Sequence, residues 1–136
     1  MRWMFMPLRR YAEFSGRSRR KEYWMFALLN VIVWTIICLL GLWGASTRLF
    51  SDADELTMYF LATGGIYALI TFIPTLAVAI RRLHDSDKSG WMLLLGLIPI
   101  VGGLILLVFY LTEGTRGPNR FGPDPLEDDN YGRAIL

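Results

Sequence analysis

SGWMLLLGLIPIVGGLILLVFYLT, residues 89–112, contains no Asp, Glu, Lys or Arg. Two runs of the same kind precede it, YWMFALLNVIVWTIICLLGLWGAST (23–47) and LTMYFLATGGIYALITFIPTLAVAI (56–80). About 20 apolar residues in a helix cross the hydrocarbon layer of a bilayer. Each run is long enough to do so, with tilt. A helix on the core of a soluble domain carries a polar stripe, and these runs carry none. The 136 residues, 54% of them hydrophobic, therefore read as one membrane domain over 1–136 of the all-α integral membrane class. Three transmembrane helices are expected at about 23–45, 57–80 and 90–111. A short basic amphipathic interfacial helix within 1–22 precedes them, and an extended Gly/Pro-rich tail, 112–136, follows. A cleavable signal peptide is the rival reading of the first run, but its apolar part should be only about 7–15 residues long.

The basic residues give orientation. Residues 1–22 hold Arg2, Arg9, Arg10, Arg17, Arg19, Arg20 and Lys21. The loop 46–55 holds Arg48 against Asp52, Asp54 and Glu55, and the second loop holds Arg81, Arg82 and Lys88. Cytoplasmic flanks are rich in Lys and Arg, so the N-terminus and residues 81–91 are expected in the cytoplasm. Three spans then leave the tail outside. Arg116 and Arg120 argue the other way. A hairpin in the third run, bent at Pro99 and Gly102-Gly103, would bring the tail back to the cytoplasmic face. Irregular backbone at that depth is tolerated only where protein or a water-filled cavity covers it.

Smaller signals follow. Met4, Leu8, Tyr11 and Phe14 share one helical face of the N-terminal segment, with Trp3 nearby, as in helices lying in the interface plane. Pro7 limits where that helix runs, and Gly16 breaks it. Ser18 and Ser89 are candidate N-caps. Tyr23, Trp24 and Trp91 fit an aromatic belt. Gly41-xxx-Ala45 and Gly64-xxx-Ala68 would let helices approach closely, and Asn30 would hydrogen-bond between helices. Pro74 removes a backbone donor from the second run. Glu127, Asp128 and Asp129 read as a solvated end. Cys38 reads as an apolar packing residue.

RRLHDSDKSGW (81–91) concentrates the polar chemistry and includes the only histidine. As a catalytic base His84 needs an orienting partner, and Asp85, its sequence neighbour, does not face it on a helix. If the second run stays helical, Arg81 and Asp85 are four apart and would pair weakly. One His with Asp85 and Asp87 is too small a set for a metal. No catalytic residue, metal or cofactor is assigned. The stretch is accounted for as a cytoplasmic turn, with Asp85, Ser86 and Asp87 favouring the turn itself. The candidate site is a polar belt of Arg17, Arg19, Arg20, Lys21, Arg81, Arg82, His84, Asp85, Lys88 and Trp91. Such belts attract anionic lipid headgroups.

FSGRSRRKEYW (14–24), RRLHDSDKSGW (81–91) and GTRGPNRFGPDP (114–125) together resemble the domain of unknown function 805 family, the YhaH-like bacterial inner-membrane proteins. The resemblance covers nearly the whole chain. Asp87 stands where the family usually has Gly, and Met92 where it has a second Trp. Membership implies a small multi-pass protein of the bacterial cytoplasmic (inner) membrane and implies no activity. The function expected is a non-enzymatic binding or accessory role, with membrane lipids as partners, anionic phospholipid above all. A homo-oligomer or a membrane-protein partner is also compatible, and no nucleic acid is expected. An oligomeric small-solute or ion transporter is the alternative, weakened because no span carries an ionisable residue. A lipid-headgroup enzyme using His84 comes third.

Overall fold

The computed structural model describes residues 2–127. Asp128, Asp129 and Arg133 fall outside them. Among the described residues the secondary structure is helical, with one isolated bridge between Asn119 and Gly122. The elements are α1 (Arg2–Arg9), α2 (Arg20–Ser46), α3 (Ala53–Asp85), a 3-10 helix (Gly90–Leu97) and α4 (Val101–Leu111).

α2 and α3 are each long and apolar enough to cross a membrane. They form an antiparallel pair through the loop 47–52. Asp52 caps α3, its side chain accepting from the N–H groups of Asp54 and Glu55 at 3.0 and 2.9 Å. The expected glycine contacts are present, but rings rather than backbones fill the space. Gly41 lies under Phe60 and Tyr59, and Gly64 under Trp34. The expected bond from Asn30 is also made: Tyr67 Oη donates to Asn30 Oδ1 at 2.9 Å. Much of the remaining surface of both helices is exposed Leu, Ile, Val and Phe, which suits a hydrocarbon surround.

The third run departs from expectation. It is not one helix over 90–111 but a hairpin. Its first arm is the 3-10 helix and its second is α4, joined at Ile98-Pro99-Ile100. Eight residues at about 2.0 Å and eleven at about 1.5 Å give arms of roughly 16 Å, half the ~30 Å hydrocarbon thickness. At the tip Val101 N–H donates to Pro99 O at 2.7 Å around Ile100, whose φ is 62°. That is a γ-turn of the rare, strained kind. Pro99 has no N–H to continue a ladder. Gly102 permits the fold-back, because a Cβ there would stand 1.7 Å from Leu95 O.

The consequence is a correction to the tail. Thr115 N–H donates to Asp85 O at 2.8 Å, so the chain returns to the end of the bundle where α3 stops. Residues 112–127 pack at that end, not at the opposite one. Apart from Arg48, the described Lys and Arg residues all belong to segments that gather there: α1 through the start of α2, the end of α3 with the loop after it, and the tail. A small core of Ala79, Leu83, Leu106 and Tyr110, with Tyr23, Leu93, Leu95 and Phe109 against it, joins the hairpin to the long helices.

The N-terminal segment is shorter than its periodicity suggests. α1 buries Met6 and Pro7, while Tyr11 and Phe14 remain exposed. Gly16, at φ 80°, turns the chain into α2. Ser18 is not the N-cap. Arg19 occupies that position without a side-chain cap bond, and Ser18 Oγ is buried with no hydrogen-bond partner among the described residues. Ser89 does cap the 3-10 helix, accepting from Trp91 N–H at 3.4 Å.

Candidate functional site

α3 carries Arg81, Arg82 and Asp85 past the end of its apolar run, where they would meet water if nothing covered them. They are covered. Arg81, Arg82 and Glu22 are wholly buried, and Arg17, Asp85 and Asp124 nearly so. A buried ion must be paired and hydrogen-bonded to offset its desolvation. Each arginine here achieves this by reaching a different segment.

Arg81 donates to Glu22 Oε1 at 3.0 Å and to the Glu13 carbonyl, holding α2 and the N-terminal segment to α3. Arg82 pairs with Asp85 at 2.6 Å and donates to Tyr110 O at 3.2 Å and to Thr112 O, holding the end of α4. Arg17 reaches Asp85 Oδ1 at 3.0 Å, donates to Gly117 O at 2.7 Å and to Thr115 O, and lies 3.9 Å from Asp124. The pairing expected from spacing, Arg81 with Asp85, is replaced by Arg82 with Asp85. Burial pushes the Asp85 carboxyl up, while Arg82 and Arg17 oppose the shift.

The tail also satisfies the last carbonyls of α3, which lack intrahelical donors. Thr115 serves Asp85 O through its N–H and its hydroxyl, at 2.8 and 3.0 Å. Asn119 Nδ2 donates to His84 O at 2.9 Å. Gly114 is required for this approach, because a Cβ there would stand 2.2 Å from Asp85 Oδ2.

His84 sits beside the charge cluster, not inside it. Its Nδ1 is 3.2 Å from Gly16 O, and its ring stacks on Phe121 at 3.8 Å and 4°. Burial lowers the imidazole pKa; the Gly16 carbonyl raises it and Arg120 lowers it further. With Nδ1–H donating to Gly16, Nε2 faces the start of the 3-10 helix at Gly90. A cleft of about 420 Å³ opens there, lined by Leu76, Ile80 and Trp91 among others. The neighbouring carboxylate, Asp85, is held by two arginines, so it does not orient the imidazole. Among the described residues no three of His, Cys, Asp and Glu converge to hold a metal ion.

A second cleft of about 430 Å³ lies where α2 begins. Arg19, Arg20, Lys21 and Arg116 line it, with Glu113 and Asp85. Arg20 and Glu113 approach at 3.9 Å, both well exposed. The expected belt is thus divided by the fold. Arg17, Arg81, Arg82 and Asp85 are buried in an internal clamp, with Asp85 at its edge on the cleft. Arg19, Arg20 and Lys21 surround an open cleft. Lys88, its ammonium 4.6 Å from the Phe109 ring, and Trp91, 79% exposed, lie at the root of the hairpin. Sequence reasoning missed Glu22, Asp124 and Arg116. Glu22 had a signal, as the lone acid in RSRRKEY; Asp124, between two prolines, had none.

The three polar segments 14–24, 81–91 and 114–125 thus meet at one end of the bundle. The family model described as "Protein of unknown function (DUF805)" matches residues 11–123. Inner membrane protein YhaI of Escherichia coli (strain K12) is 50% identical over 125 residues, covering 92% of this chain and 96% of that protein. Inner membrane protein YhaH of the same strain is 46% identical, covering 92% and 97%. Uncharacterized protein YiiR of that strain is 26% identical over 147 residues, covering 90% and 87%. No solved structure matches the chain.

Proposed function

We propose, for a chain that belongs to the DUF805 family of proteins of unknown function, a non-enzymatic role as a multi-pass inner-membrane protein that holds phosphate-bearing headgroups of anionic lipid. The observation that carries this reading is the convergence of Arg19, Arg20, Lys21 and Arg116 on one open cleft. Among the described residues its acids are Asp85, already engaged by Arg17 and Arg82, and Glu113, 3.9 Å from Arg20. The cleft also adjoins the start of α2, whose N-cap residue, Arg19, makes no side-chain cap bond. Helix N-termini favour anions. The names of the two similar inner membrane proteins support the localisation. The gathering of cations at one end supports a cytoplasmic N-terminus and a cytoplasmic tail.

Lipid retention by the purified full chain tests this. Phosphatidylglycerol should be retained over phosphatidylcholine, and salt should weaken the preference. Each cation near a lipid surface contributes about 1 kcal/mol, so Arg20→Gln with Lys21→Gln should lower the preference about thirtyfold. No preference in the wild-type chain, or none lost in the variant, defeats the reading. Arg81 and Arg82 are unsuitable for this test, because their loss would disturb the fold.

A further inference from the structure

We propose that the apolar groove between α2, α3 and the hairpin receives an acyl chain of the same lipid whose headgroup sits in the basic cleft. The proposal rests on the headgroup reading above and specifies its ligand as a chain-bearing lipid phosphate. The groove, about 560 Å³, is lined by Tyr23, Asn30, Trp34, Ala68, Phe72 and Leu93 among others. That volume falls in the ordinary range of ligand sites, about 300–1,000 Å³.

Three observations choose the occupant. The first is length. From Tyr23 to Trp34 the groove follows α2 for eleven residues, about 16 Å. That is half the ~30 Å hydrocarbon layer, the depth of one leaflet. The second is the chemistry of its walls. Asn30 donates to Phe26 O at 2.8 Å and accepts from Tyr67 Oη at 2.9 Å, and Thr71 donates to Tyr67 O at 2.8 Å. These polar groups are spent within the walls, and apart from the Tyr23, Thr75 and Tyr110 hydroxyls the rest of the lining is apolar, so the space suits a hydrocarbon. The third is continuity. Tyr23 and Tyr110 pack at 4.5 Å at the upper end of the groove. Arg20 lies one turn before Tyr23 on α2, and Glu113 lies three residues after Tyr110, just past the end of α4, and both line the basic cleft. A negative head at the cleft and a chain in the groove are therefore about one helical turn apart along a single seam.

The test uses the full chain in detergent, with native mass spectrometry to count retained phosphatidylglycerol and titration with sn-glycerol 3-phosphate as the probe without chains. Ala68 is exposed at the groove, so Ala68→Trp fills it without entering the core. The variant is expected to retain phosphatidylglycerol at least tenfold less, with an unchanged melting temperature and unchanged glycerol phosphate binding. In the wild-type chain, a phosphatidylglycerol with a photoreactive acyl chain is expected to label the peptides of Phe72 and Leu93. Wild-type lipid retention in Ala68→Trp, or labelling spread evenly over the exposed faces of α2 and α3, overturns the groove. Arg20→Gln with Lys21→Gln should reduce binding of both probes. If that variant changes neither probe while Ala68→Trp still sheds lipid, the headgroup site fails and the groove stands.

Discussion

Arg17 Nε lies 3.0 Å from Asp85 Oδ1, both groups buried, across a separation of sixty-eight residues. Asp85 also holds Arg82 at 2.6 Å. One carboxylate thus fastens the N-terminal segment, the end of α3 and, through Arg17, the tail. Asp85→Asn should cost about 3–5 kcal/mol, since buried Arg82 loses its carboxylate and Arg17 the nearer of two. Arg17→Met should cost less, because the Arg82–Asp85 pair survives it. Thermal unfolding of the two variants in detergent checks the order. Equal losses would mean that the bonds Arg17 makes to Asp85 and to the tail carbonyls matter as much as the Arg82–Asp85 pair.

The hairpin is tested at adjacent glycines. Gly102→Ala forces a Cβ into Leu95 O and should destabilise by about 1–3 kcal/mol, the range for overpacking. Gly103→Ala meets nothing within 4 Å and should be neutral or stabilising by up to about 1 kcal/mol, since Ala favours helix over Gly. Similar melting temperatures for both variants would argue for a third run without the fold-back.

Topology follows from the same fold-back. Reporter fusions at Lys88 and after Leu136 should give cytoplasmic signals, and one at Ser51 the opposite signal. An external signal after Leu136 would restore a third full span.

His84 gives the attachment of the tail a pH dependence. Its pKa is lowered from the ordinary 6.5, chiefly by burial, so the folded state favours the neutral ring. The unfolded chain takes up the proton first as pH falls. The stabilisation from His84 is therefore complete above about pH 6.5 and declines as the pH drops toward the lowered folded value. Proteolysis near Phe121, which stacks on the ring, should accelerate over that window. His84→Gln should flatten the response. An unchanged profile in that variant would assign the dependence to other groups.

The sequence by itself determined the class of the protein. Three charge-free runs of two dozen residues admit little besides helices in hydrocarbon, and the cations mark one end of them. It also located the three polar segments that matter, since so many charges beside apolar runs need a reason. Asn30 and Ser89 were legible for the same local cause: a polar group in an apolar run, or before a helix, has few partners within reach. What the sequence left open was the path of the third run. Hydropathy is the same for a straight helix and for a hairpin, and Pro99 with Gly102 permits either. Only the tertiary structure chose. It brings Gly114 against Asp85 and the tail onto the carbonyls at the end of α3, and that requires the chain to come back. Tertiary contacts likewise decide which arginines are buried and which are open. Arg81 and Arg20 are both basic residues beside an apolar run, and spacing does not tell them apart. Glu22 and the N-terminal segment close over Arg81, whereas Arg20 is left facing the cleft. Burial of a charge depends on what arrives from far along the chain, and local sequence carries no record of that arrival.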